Sequence, residues 1–166
     1  MDGYYESKSA ALIELDSKKY TPNLAGFLST CEKNYYLSKK IVESVGALEK
    51  KGEQCTFGLA YNNDQSGIVT CTLLEVSVHT VTVEFKQHHP VSEWLPGTCF
   101  VVRMYHDAEL AEVVEFQGKK HIAVKHAYPN RNMFQRDEKS QHNEFFFDWL
   151  QFCMEFGQRL ERFNVS

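Results

Sequence analysis

The chain reads as an α+β domain: a curved antiparallel meander sheet of about six strands, with an N-terminal amphipathic helix and a long C-terminal helix packed on one face. Three observations predict this. Apolar residues recur at helical spacing near both ends of the chain. Between them lie period-2 runs rich in Val, Thr, Phe and Tyr. The breaks between those runs are too short for the roughly dozen-residue crossovers that a parallel sheet requires. With 166 residues, 43% hydrophobic and 24% charged, the chain has the apolar mass for one ordinary core. It divides into an extension over 1–19 and a single domain over 20–166.

Residues 1–19 are polar with one apolar patch at Ala10–Leu15, the pattern of a loosely held arm. Thr21-Pro22 reads as a helix start, a capping hydroxyl followed by proline at the first helical position. Leu24, Phe27, Leu28, Cys31, Tyr35, Ile41, Val42 and Val45 then share one face, and Gly46 is a stop,. A helix over 22–45 is predicted. Strands follow at about 54–61, 67–76, 79–87, 98–106, 109–117 and 120–127, separated by Asn62–Gly67, Pro90, Pro96-Gly97 and Gln117-Gly118,. After Asp137, a good N-cap, the stripe Phe145, Phe146, Trp149, Leu150, Cys153, Phe156 and Leu160 predicts a helix whose aromatics fill the core,.

The charge balance excludes some functions. Eighteen Lys and Arg against 22 Asp and Glu leave a net charge of −4, without the basic surplus of a general nucleic-acid or anionic-membrane binder. No apolar run approaches the roughly 18 residues of a bilayer span, and Met1–Glu6 lacks the basic start of a signal peptide,. A cytoplasmic protein is expected. Five unclustered cysteines, Cys31, Cys55, Cys71, Cys99 and Cys153, fit reduced, buried thiols; Cys55 and Cys71 could approach each other across a hairpin. No phosphate-binding glycine loop, no G-x-S-x-G elbow and no H-E-x-x-H occurs,. His121 and His126, five apart on one predicted strand, face opposite ways, so no metal and no cofactor is expected.

Two segments carry more polar groups than a scaffold needs. In Arg103–Val113, a turn at Asp107-Ala108 pairs Arg103 with Glu112 and Tyr105 with Leu110,. The plainer reading is a cross-strand ion pair. The sharper one is that Arg103, Tyr105 and Glu112 line a pocket with His106 and Asp107 at its rim. The second segment, Tyr128–Asn143, joins the last strand to the last helix, a place where binding groups often sit.

These segments resemble the YqiB-like family, domain of unknown function 1249. The resemblance lies in R-x-Y-H-D-A-x-x-A-E-V at Arg103–Val113, in Y-P-N-x-x-x-x-Q-R-D-E-K-x-Q-x-N-x-F-x-x-D-W-L at Tyr128–Leu150, and in Tyr20-Thr21-Pro22. It spans roughly residues 19–157. It implies no catalytic role for any residue, and nominates only as positions of interest Arg103, Tyr105, His106, Asp107, Glu112, Tyr128, Asn130, Gln135, Arg136, Asp137, Glu138, Lys139, Gln141 and Asn143; of these, Arg103, Tyr105, Glu112, Tyr128, Asn130, Gln135, Arg136, Lys139 and Asn143 are the expected ligand-binding residues.

Three functions remain open. A non-catalytic small-molecule-binding or regulatory domain needs only convergent polar groups, in a cleft between the 103–112 hairpin and the start of the C-terminal helix. A hydrolase of a phosphorylated or nucleotide-like molecule would use His106 as base and Asp107 to orient it, with Arg136 or Lys139 on the anion. A protein–protein adaptor would use exposed aromatics such as Tyr4, Tyr5 and Trp94. The binding domain is the favoured expectation, with a small molecule or a protein as partner and neither nucleic acid nor membrane.

Overall fold

A computed structural model describes residues 23–46, 48–60, 66–88, 97–120 and 129–159, with the backbone alone over 129–137 and at 66 and 159. The extension over 1–19, Thr21-Pro22, Tyr128, the predicted strand beyond Lys120 and the aromatics Tyr4, Tyr5 and Trp94 lie outside the described residues.

Helix α1 runs Leu24–Val45. Its N-cap is Asn23, whose side chain accepts the Gly26 N–H at 2.9 Å, so one of the helix's orphan donors is satisfied by the next polar residue after the expected Thr21. Cys31, Asn34, Tyr35, Ser38 and Ile41 form its buried stripe. Leu24 and Leu28, expected on the core face, are 65% and 39% exposed; the helix meets the core from Cys31 onward. Gly46 closes it with φ 146, its N–H donating to the Val42 carbonyl, a conformation that side-chain-bearing residues rarely adopt.

The strands are β1 Gln54–Ala60, β2 Ser66–Val76, β3 Thr80–Gln87, β4 Cys99–Tyr105, β5 Leu110–Phe116 and β6 Lys119–Lys120. They form the expected antiparallel meander. Gln117 and Gly118 both take positive φ, 51 and 77, the backbone of a tight two-residue hairpin between β5 and β6.

The chain departs from expectation at the last helix. Helix α2 spans Pro129–Phe156, so Asp137 lies inside the helix and does not cap it. Proline is well placed at a first helical position because its missing N–H would have no intrahelical partner. The following run to Lys139 contains no glycine or further proline and is rich in Arg, Gln, Glu and Lys, which favour helix. Its polarity reads as loop only when apolar spacing is the sole guide. The helix ends at Phe156, and Leu160 lies outside the described residues. Gly157–Arg159 forms a seventh strand, β7, on the free edge of β1, giving the order β6-β5-β4-β3-β2-β1-β7. Glycine is required at the join, since a Cβ on Gly157 would stand 2.3 Å from the Cys153 carbonyl oxygen.

Both helices cover one face of the sheet. Phe57, Leu59, Val69, Cys71, Leu73, Val83, Phe85, Phe100, Val102, Met104, Ala111 and Val113 point to that face and pack against Tyr35 and Ile41 of α1 and Phe146, Trp149, Leu150 and Cys153 of α2. The Trp149 indole N–H is satisfied by Gln87 Oε1 at 3.1 Å. No described helix is long and apolar enough to cross a membrane.

One polar group in this core works against stability. The Ser38 hydroxyl is fully buried with no hydrogen-bond partner among the described residues, and an unsatisfied buried donor costs about 1–3 kcal/mol. Ser38→Ala removes that cost and adds the best helix former. The urea midpoint of the variant is expected to rise by the equivalent of about 1 kcal/mol with unchanged m-value; a fall would show that the hydroxyl has a partner in solution.

Candidate functional site

The β4–β5 hairpin adopts the predicted register, with Arg103 opposite Glu112 and Tyr105 opposite Leu110. A four-residue turn over 106–109 connects the strands, Glu109 taking φ 53. This turn sits beside the β2–β3 turn, since the His106 N–H donates to the His79 carbonyl at 2.9 Å.

His106 and Asp107 diverge at the turn. Asp107 Oδ2 pairs with His79 Nδ1 at 2.7 Å, both side chains being largely exposed, which makes the pair worth at most about 1 kcal/mol. His106 Nδ1 instead meets the hydroxyl of Tyr35, a residue of α1 only 8% exposed, at 2.9 Å, with the rings edge to face. A buried tyrosine needs a partner for its hydroxyl, and His106 supplies it. Each member of the would-be base–carboxylate pair is thus held by a different element.

Between α1 and this turn runs a groove of about 430 Å³, lined by Glu32, Tyr35, Tyr36, Lys39, Lys40, Glu43, Ala108 and Glu109. Its size falls within the roughly 300–1,000 Å³ of small-molecule sites. Lys39 lies 4.0 Å from Glu43 and Lys40 stands over the Tyr36 ring. Both ammonium groups are therefore held near the opening by partners on α1 itself. A second, more apolar groove of about 700 Å³ lies between α1 and α2, where Tyr36, Leu37, Phe147 and Met154 meet.

On the α2 side, the hairpin is clamped. Glu112 forms an ion pair with Lys139, whose ammonium also stands over the Phe27 ring. Asn143 is fully buried. Its Oδ1 accepts the Val113 N–H at 2.9 Å, its Nδ2 donates to the Lys139 carbonyl, and its own carbonyl accepts from Asn34 Nδ2. The neighbouring Cys31 thiol is pushed up to about 12 by burial, reinforced by the Glu112 charge and opposed by Lys139, so it stays protonated.

The structure therefore brings Glu112, Lys139 and Asn143 together. Arg103 and Tyr105 belong to the alternate set of β4, away from its core-facing Phe100, Val102 and Met104. Among the described residues Arg103 has no ion-pair partner, Glu112 being engaged by Lys139. Asn130, Gln135 and Arg136 lie on the first turns of α2, where only the backbone is described, and Tyr128 lies outside. Among the described residues, no His, Cys, Asp and Glu group has three members placed to hold a metal ion. Tyr35, Lys39 and Lys40 lie outside both polar motifs. Tyr35 falls in the apolar stripe of α1, although a hydroxyl inside such a stripe signals that a polar partner must come from elsewhere in the chain.

Residues 45–159 match a family model described as "Protein of unknown function (DUF1249)". The chain is 32% identical over 140 residues to the "Uncharacterized protein YqiB" of Escherichia coli strain K12 and to that of E. coli O157:H7, covering 84% of this chain and 94% of each relative. No solved structure matches the chain.

Proposed function

The chain belongs to the DUF1249 family, and we propose that it is a binding domain that performs no chemistry of its own and takes a small polar ligand in the groove between α1 and the 106–109 turn. The observation that carries this reading is the Tyr35–His106 hydrogen bond. It fixes a buried hydroxyl in the groove wall and ties the helix to the turn that faces it. Lys39 and Lys40 on one side and Glu32, Glu43 and Glu109 on the other give the groove both charge signs, which suits a metabolite carrying donors and acceptors. A hydrolase would be favoured by a histidine and carboxylate in mutual contact inside a cleft. The histidine–carboxylate contact nearest the groove, His79 with Asp107, stands in solvent.

A thermal-shift screen against nucleotides, sugar phosphates, amino acids and divalent metals tests this. A ligand at about 100 times its Kd adds about 2.7 kcal/mol of stability. The shift is expected to vanish in the Lys39→Ala/Lys40→Ala double variant and to weaken in Tyr35→Phe. A hit that survives both changes but is lost in Arg103→Ala or Arg136→Ala would move the ligand to the α2 side of the hairpin. No hit at all would overturn the reading.

A further inference from the structure

β1 and β2 place Cys55 directly opposite Cys71, both facing the core. Opposed residues of an antiparallel pair have Cα atoms about 4.5–5.5 Å apart, inside the roughly 4.4–6.8 Å that a disulfide spans. The two thiols are also close enough to perturb each other's ionisation. We propose that Cys55 and Cys71 are a redox modification site, converted to an intramolecular disulfide by exchange with a low-molecular-weight disulfide such as oxidised glutathione.

The two sulfurs have different roles. Cys55, at 9% exposure, is the more accessible, while Cys71 is fully buried. Beyond Phe57–Leu59, where β7 pairs with it, the outer edge of β1 carries no other strand among the described residues, so an external reagent meets Cys55 first. The Cys71 S–H bond to Cys55 draws the Cys55 thiol below its ordinary range, whereas that same bond and burial hold Cys71 up. Thiolate character selects the attacking sulfur. In the first step the Cys55 thiolate attacks one sulfur of the reagent. The reagent's S–S bond breaks, a mixed disulfide forms on Cys55, and one thiolate leaves and takes a proton. In the second step Cys71 attacks the Cys55 sulfur, the mixed S–S bond breaks, and the Cys71 proton passes to the second thiolate as it leaves. Two protein thiols are oxidised and one reagent disulfide is reduced to two thiols. Cys153, on α2, is a third buried thiol in the same core, and is the competing partner that the experiment must separate.

The test uses the full chain under native conditions. It is incubated with oxidised glutathione, quenched with an alkylating agent, and examined by intact mass and peptide mapping. Of the five thiols, two are expected to become unavailable to alkylation, with the loss of two hydrogens, one cross-linked Cys55–Cys71 peptide, no retained glutathione, and full reversal by dithiothreitol. Fastening β1 to β2 is expected to raise Tm by about 5–10 °C. Cys71→Ala is expected to trap the mixed disulfide on Cys55, and Cys153→Ala to leave the link intact. Five free thiols after oxidation, glutathione persisting on the unaltered chain, or a Cys71–Cys153 peptide would each overturn the proposal. The unaltered chain decides the matter even if a core variant fails to fold.

Discussion

Replacing Phe100 with alanine is expected to destabilise the protein by about 3–5 kcal/mol. Phe100 is fully buried, and its ring lies 5.1 Å from Phe116, 5.6 Å from Phe145, 4.9 Å from Phe146 and 5.4 Å from Trp149. It therefore joins β4 to β5 and to α2 at once. Truncation loses the transfer free energy of the ring and leaves a cavity whose rigid aromatic walls collapse poorly. A single domain is commonly stable by about 5–15 kcal/mol, so the variant sits near its unfolding threshold. Urea denaturation should show a large drop in midpoint with little change in slope. Phe100→Leu, which keeps most of the volume, should lose much less. Equal losses for leucine and alanine would show that ring contacts do not govern this site.

Asn143→Ala is expected to cost about 2–3 kcal/mol by a different route. The Asn143 side chain reaches from α2 to accept the Val113 N–H, a donor on the free side of β5 where β6 does not pair with it. Without the amide oxygen that N–H is buried and unpaired, and the full desolvation penalty falls on it. Alanine's better helix propensity offsets well under 1 kcal/mol of this. Amide exchange separates local from global loss. The Val113 amide should lose protection by more than the fall in overall stability explains, while Val83, in the centre of the sheet, tracks global unfolding. If both amides change equally, Asn143 is holding the helices together and is not specifically guarding the strand. The backbone carbonyl of Asn143, which accepts from Asn34, survives the substitution, so the two effects can be told apart.

The asparagine also shows what local reasoning could reach. It is among the expected binding positions because it belongs to a polar motif on α2. Its three hydrogen bonds are all to the protein itself, which makes it a structural clamp on an exposed sheet edge, the weak point of an open sheet. Lys139 and Glu112 complete the same clamp. The motif is polar because a helix must be tied to a strand across a boundary where both present polar backbone.

Register and class follow from short-range pattern. Arg103 faces Glu112 and Tyr105 faces Leu110 because side-chain alternation has a period of two and the turn residues lie at 106–109, leaving little freedom to slip. The helical stripe of α1 and the meander order are legible for the same reason. Where α2 begins is not, because Asp137 gives a capping signal that the extended helix overrides. Nor is β7 legible: Gly157, Gln158 and Arg159 have no strand preference of their own and become a strand because β1 presents unpaired backbone groups at Phe57–Leu59.

By itself, then, the sequence determined the α+β class, the antiparallel meander, the hairpin register and the two motifs through which the chain resembles its family. Only the tertiary structure decided that Tyr35 meets His106 across 71 positions of chain, that Asp107 turns to His79, and that Asn143 accepts the Val113 N–H. Periodicity states which way a side chain points relative to its neighbours in sequence. Which distant group satisfies a buried hydroxyl, amide or thiol depends on how whole elements pack, and that is settled by the burial of the shared core.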